Sequence, residues 1–128
     1  MPFKVECELD LTDGFELESL VGRIRLSDGK RSLQEDAVYL DSWLQALGKA
    51  AMEMEGGSKE TVIDMVEEPQ PLVVSRDQFG SVHISFKGRE VAVQTPADFR
   101  RVVEGATELF VSQVQRLSGG EYQLPPIS

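Results

Sequence analysis

The sequence has little with which to build most catalytic centres. It holds one cysteine, Cys7, one histidine, His83, and one tryptophan, Trp43. A single cysteine excludes an intramolecular disulfide and, beside a single histidine, leaves no ligand set for a zinc site. No segment approaches the ~18 consecutive apolar residues of a membrane-spanning helix. Positive charge is also scarce, with 13 Lys and Arg against 22 Asp and Glu and a formal net charge of −9. A nucleic-acid or anionic-membrane binder needs a basic face, so neither is an expected partner. There is no Asp-x-Asp-x-Asp-Gly calcium loop and no glycine-rich phosphate loop, so no metal and no cofactor is expected. The N-terminal residues lack the basic stretch and apolar run of a secretory signal. A cytoplasmic protein with a reduced thiol is the expectation.

What is present suits one folded domain. The 128 residues are 41% hydrophobic and 27% charged, an ordinary globular composition. A chain of this size buries roughly two-thirds of its unfolded surface and folds without a metal or a disulfide. Phe3, Val5, Cys7, Leu9 and Leu11 alternate with Lys4, Glu6, Glu8 and Asp10, the period of a half-buried strand. Thr12-Asp13-Gly14 predicts a turn. Phe15 and Leu17 resume the alternation, and the parity change before Leu20 predicts a bulge near Ser19. A strand follows through Ile24 and Leu26. Asp28-Gly29 predicts a two-residue hairpin returning through Arg31 and Leu33.

The period then becomes helical. Leu40, Trp43, Leu44, Leu47, Ala51 and Met54 recur at spacings of three and four, with Asp36 or Asp41 as the expected N-cap and Gly56-Gly57 as the stop. Four shorter strands are read at Thr61–Val66, Leu72–Val74, Val82–Phe86 and Val91–Val93, with turns at Asp77–Gly80 and Lys87-Gly88-Arg89. Thr95-Pro96-Ala97-Asp98 starts a second helix, with a Thr cap and proline in the first turn. Its apolar stripe runs through Phe99, Val102, Val103, Ala106, Phe110, Val114 and Leu117. The expected fold is α+β: an antiparallel sheet of about six to seven strands with two amphipathic helices on one face, in the order β-β-β-α-β-β-β-β-α. The domain is placed at 1–118. The remainder, 119–128, is read as an extended tail, either disordered or packing Tyr122, Leu124 and Ile127 on a neighbour.

Charge is uneven along the chain. Residues 1–68 carry 16 acidic and 7 basic side chains, a net of −9, whereas residues 69–128 carry six of each. Glu6, Glu8, Asp10, Glu16 and Glu18 are expected on the solvent face of one hairpin. Glu35, Asp36 and Asp41 surround the start of the first helix, where its dipole favours carboxylates. One reading is a solvated surface that maintains solubility. The other is a docking face for a basic partner, with Glu6, Glu8, Asp10, Glu16, Glu18, Glu35 and Asp36 as its candidate contacts.

No catalytic residue is assigned. His83 has polar parity on a strand, with no orienting carboxylate or nucleophile evident beside it. Cys7 has apolar parity and reads as a buried structural thiol. Glu67 and Glu68, adjacent on an extended segment, face opposite ways and do not converge on one bond. Trp43 reads as a core residue, and Arg100 is placed to pair with Glu104 one helical turn on.

In layout, residues 3–117 resemble the small immunity proteins of bacterial polymorphic toxin systems, loosely those of the WapI type. The resemblance lies in the paired strands, the helix bearing Leu40-Asp41-Ser42-Trp43-Leu44-Gln45-Ala46-Leu47, the meander through Val82-His83-Ile84-Ser85-Phe86, and the closing helix from Thr95-Pro96-Ala97-Asp98-Phe99. It implies a non-enzymatic protein that binds a cognate toxin and blocks it, and the acidic charge of this chain suits a basic toxin domain. A second resemblance is to the small acidic α+β chaperones of bacterial secretion systems, although those of the type III class usually begin with a helix. A small-ligand-binding domain or an enzyme is the remaining alternative.

Overall fold

The structure, a computed structural model, describes residues 2–65 and 68–124. Among the described residues, seven antiparallel strands and two helices follow the order read from the sequence. They are β1 (Lys4–Leu9), β2 (Val21–Ser27), β3 (Ser32–Tyr39), α1 (Leu40–Glu55), β4 (Glu60–Ile63), β5 (Leu72–Arg76), β6 (Val82–Phe86), β7 (Arg89–Val93) and α2 (Pro96–Ser118). The strands divide into two sheets, β1-β2-β3 and β4-β5-β6-β7. Val66 and Glu67, the end of the fourth strand read from the sequence and one of the paired glutamates, lie outside the described residues.

Period-two burial builds both sheets. On β2 the buried positions are Gly22, Ile24 and Leu26, and on β6 they are Val82, Ile84 and Phe86. The tightest hairpin joins β6 to β7, where Phe86 pairs with Arg89 and only Lys87 and Gly88 lie between. Both have positive φ, 51° and 78°, the backbone a two-residue turn needs to match the strand twist. The Asp28 turn is shifted by one residue from the expected Asp28-Gly29. Ser27 pairs with Ser32 and the Asp28 N–H donates to Arg31 O at 3.1 Å, so Gly29 and Lys30 lie between, and Asp28 Oδ1 accepts from the N–H groups of Lys30 and Arg31.

The N-terminal hairpin departs from expectation in three ways. β1 ends at Leu9, and Phe15 to Glu18 form no strand, so residues 10–20 are a loop carrying two turns. Two alternating residues, Phe15 and Leu17, are too few to hold a ladder. The bulge is not near Ser19. It lies where Gly22 pairs with Val38 and Ile24 with Glu35, so β3 carries the extra residue, and Ala37 takes a φ of 55°. Neither Asp36 nor Asp41 caps α1. Tyr39 is the N-cap and makes no side-chain cap bond. β3 runs straight into the helix, and the Leu40 N–H donates to Leu20 O at 2.9 Å.

α1 is the centre of the core. Leu40, Trp43, Leu44, Leu47, Ala51 and Met54 are buried as expected, and so are Ala46 and Ala50 on its flank. The helix touches α2 and strands of both sheets, so small side chains are needed where an outer helix would carry polar ones. α2 lays Phe99, Val103, Ala106, Phe110 and Val114 on this core. Phe3 meets Phe99 edge to face at 6.0 Å between ring centroids, and Trp43 meets Phe86 the same way at 4.8 Å. The start of α2 is as read: Thr95 Oγ1 accepts from the Asp98 N–H at 3.0 Å, with proline at the first helical position. Thr95→Ala should therefore lower unfolding free energy by about 1 kcal/mol in a urea titration.

β3 and β7 lie side by side but belong to different ladders. Side chains bridge them. The Ala92 N–H donates to Asp28 Oδ2 at 3.0 Å. Lys87 Nζ and Arg89 Nη2 donate to the two oxygens of Glu35 at 2.9 and 2.5 Å. Arg31 Nη1 donates to Glu90 Oε2 at 3.3 Å. After α2 the described part of the tail folds back. Tyr122 packs edge to face on Phe110, and its carbonyl accepts from Gln115 Nε2 at 2.9 Å. Ile127 lies outside the described residues.

Candidate protein-docking surface

The structure separates the seven acidic residues read as one face. Glu6 and Glu8 are exposed on β1, but each has an arginine across the ladder, Arg25 opposite Glu6 and Arg23 opposite Glu8. The like-charge repulsion expected there is thus offset by cross-strand pairing of opposite charges. Glu16 and Glu18 lie in the 10–20 loop and share no hairpin face with β1. Glu35 is not a surface residue. It is 9% exposed and holds Lys87 and Arg89 at the junction of the sheets. Its parity with the buried Leu33 on β3 was the available signal. Asp36 is exposed and bonds Arg23 Nε at 2.8 Å.

Glu8, Asp10 and Asp36 do come together. With Leu9, Leu11, Thr12, Gly22, Arg23 and Ala37 they line a shallow hollow of about 400 Å³ beside the β3 bulge. The bulge is what turns Asp36 toward Arg23. The Thr12 side chain, and after it the Thr12 N–H that donates to Asp10 Oδ1 at 3.0 Å, hold the Asp10 carboxyl below the usual range. The hollow opens beside a loop whose sequence from Asp10 to Gly22 contains four carboxylates, Asp10, Asp13, Glu16 and Glu18, and no lysine or arginine. Leu11 and Leu17 are exposed on the same loop. Among the described residues that line the hollow, Arg23 is the one cation, against three carboxylates.

A larger groove of about 670 Å³ runs between α1 and α2. Leu44, Gly48, Ala51, Met52, Val103 and Leu124 give it an apolar floor, and Lys49, Glu53, Arg100, Glu104 and Glu108 form a mixed-sign rim. Met52 is 72% exposed. Arg100 pairs with Glu104 at 3.1 Å, as the helical spacing indicated, and also with Glu55 of α1.

His83 has the carboxylates that the sequence did not reveal. Its Nε2 lies 2.8 Å from Asp77 Oδ2 and its Nδ1 lies 3.1 Å from Glu90 Oε2. Both ring nitrogens are occupied, so neither faces a substrate. Ser85 Oγ donates to Glu90 and not to the ring, which is no nucleophile–base pair. Burial pushes the Cys7 thiol up to about 12, the opposite of an activated nucleophile. Among the described residues no group of three or more His, Cys, Asp or Glu is placed to hold a metal ion, and no helix is long and apolar enough to cross a membrane.

The Asp77 contact raises the His83 pKa from its ordinary 6.5, burial works against that rise, and Glu90 adds to it. Asp77 is lowered in turn, chiefly by the His83 contact. Stability contributed by the charged ring is therefore complete below pH 6.5 and is lost as pH rises through the higher folded value. The part contributed by Asp77 is present above its ordinary 3.8 and is lost as pH falls through its lower folded value. Urea midpoints should thus fall from pH 6 to pH 8.5 in the wild type, and this fall should be smaller in His83→Gln.

Compared with known protein families, curated proteins and solved structures, the chain matches none of them.

Proposed function

We propose that the protein is a non-enzymatic cytoplasmic binding protein, an acidic immunity protein that neutralises a cognate bacterial toxin by occupying its basic substrate cleft. One observation carries the reading: Glu8, Asp10 and Asp36 surround a hollow whose adjoining loop holds carboxylates and no cation from Asp10 to Gly22. Carboxylates set in this way present the charge that a phosphate-binding cleft attracts, and they act on association rate more than on final affinity. The exposed Leu11 and Leu17 supply apolar contact beside them. Glu6 and Glu35 drop out as leading contacts, the first because it does not line the hollow and the second because it is buried.

The test begins with capture of the partner from the source cell, identified by mass spectrometry, followed by stopped-flow association. Reversing Glu8 and Asp10 to Lys should slow association at least several-fold, and added salt should slow the wild type in the same way. Both sites are exposed, but Lys at position 8 faces Arg23 and Lys at position 10 loses the Thr12 N–H, so stability should fall by about 1–2 kcal/mol and association is measured well below the unfolding midpoint. An on-rate indifferent to salt and to both reversals rejects the acidic face as the docking site.

The α1–α2 groove favours a second reading, a secretion-system chaperone that holds an extended apolar client. In that case Met52→Lys weakens partner binding and the Glu8 and Asp10 reversals do not.

A further inference from the structure

The two sheets meet at a seam made of side chains, and one end of that seam runs through the only histidine. From the β5–β6 turn, Asp77 reaches His83 on β6. His83 reaches Glu90 on β7, Glu90 reaches Arg31 on the β2–β3 turn, and Arg31 stands 3.7 Å from Asp28. Asp28 in turn receives the Ala92 N–H across the seam. The charged groups facing the ring are Asp77 from the turn and Glu90 from β7, with Arg31 behind Glu90. The ladder neighbours of His83 are uncharged, Ser75 on β5 and Ala92 on β7.

An imidazole ring has two nitrogens, and a carboxylate can only accept. Both contacts are hydrogen bonds together only when the ring carries two protons and a positive charge. In the neutral ring one nitrogen presents a lone pair to a carboxylate oxygen about 3 Å away, and that contact turns repulsive. We infer that His83 is a proton-controlled latch on the seam: charged, it holds Glu90 in place beneath Arg31 of the other sheet, and neutral, it releases Glu90. The remaining proton stays on Nε2. That contact is the shorter one, 2.8 Å against 3.1 Å. Glu90 also has other donors to turn to, Ser85 and Arg31. Asp77 is fixed besides by the N–H groups of Phe79 and Ser81 on its other oxygen, so it does not follow a moving ring.

The latch acts on the link between sheets and leaves each ladder intact. The amide to watch is Ala92, whose hydrogen bond crosses the seam to Asp28. Three measurements test the inference on the full chain. The ¹⁵N shifts of His83 should titrate above pH 6.5 and show the Nε2–H tautomer once neutral. The protection factor of the Ala92 amide, corrected for intrinsic exchange, should fall about 2- to 5-fold across that titration, the range for loss of a partly exposed charged contact. In His83→Gln, which keeps one donor and no titration, that fall should vanish. Glu90→Gln is a second variant. It should lower the His83 midpoint, because it removes one of the two facing charges. A ring that titrates at or below 6.5, an Nδ1–H tautomer, an Ala92 protection that does not change, or the same change in His83→Gln would each overturn the inference.

Discussion

Trp43→Ala is expected to lower unfolding free energy by about 3–5 kcal/mol, the cost of removing a fully buried aromatic side chain from a core. Trp43 is 1% exposed and sits at the first turns of α1, where the helix meets Phe86 of the second sheet edge to face. Such pairs contribute roughly 0.5–1.5 kcal/mol beyond the area they bury. The void left by alanine opens toward both α1 and β6, and neither can collapse into it freely. α1 continues without a loop from β3, and β6 is the second strand in from the β7 edge of its sheet. Trp43→Phe keeps a ring against Phe86 and should cost clearly less. Unfolding has to be followed by circular dichroism, since either substitution removes the sole tryptophan fluorophore. A loss near zero for Trp43→Ala would mean that α1 does not present this face to the second sheet.

The same helix shows how far the sequence was legible. A stripe at spacings of three and four is a property of one segment, and Leu40 to Met54 carried it clearly. The second burial flank, Ala46 and Ala50, was not legible, because alanine has no preference for either side and the second sheet is remote in sequence. The cap was misread for a related reason. Asp36 and Asp41 are good capping residues, but β3 leads into α1 without a loop, and the first N–H of the helix, that of Leu40, is met by the Leu20 carbonyl. On the acidic surface, net charge was legible and its arrangement was not. Glu35 belongs to the alternation of Leu33, yet its partners, Lys87 and Arg89, lie 52 and 54 residues away. The His83 cluster was half legible. A two-residue turn at Lys87-Gly88 fixes the register that puts Ser85 opposite Glu90, and Glu90 then lies diagonal to His83. The approach of Asp77 depends on the geometry of the 77–81 turn, which spacing alone does not reveal.

Gly22→Ala should be among the most disruptive substitutions, at about 3 kcal/mol of lost stability. A Cβ at this position falls 2.0 Å from the carbonyl oxygen of Glu8 and 2.9 Å from the Leu9 Cα. These are backbone atoms, so no change of rotamer relieves the collision, and the end of β1 has to move away from β2. Gly22 is buried and pairs with Leu9 on one side and Val38 on the other, with the β3 bulge immediately beside it. Neighbours on both sides leave little room for the strand to shift. Gly48→Ala is the control. Gly48 lies within α1, and a Cβ there meets nothing within 4 Å, so the greater helix propensity of alanine should raise stability by up to about 1 kcal/mol. A urea titration of the pair should therefore show shifts of opposite sign. The Gly22 variant also bears on the proposed docking hollow, because the displaced segment contains Glu8, Leu9 and Asp10, whose N–H donates to Val21 O at 2.9 Å. Where the variant remains folded at low temperature, association with the captured partner should slow even though no charge has changed. Normal association in a folded Gly22→Ala protein would show that the carboxylates act through long-range charge and not through the shape of the hollow.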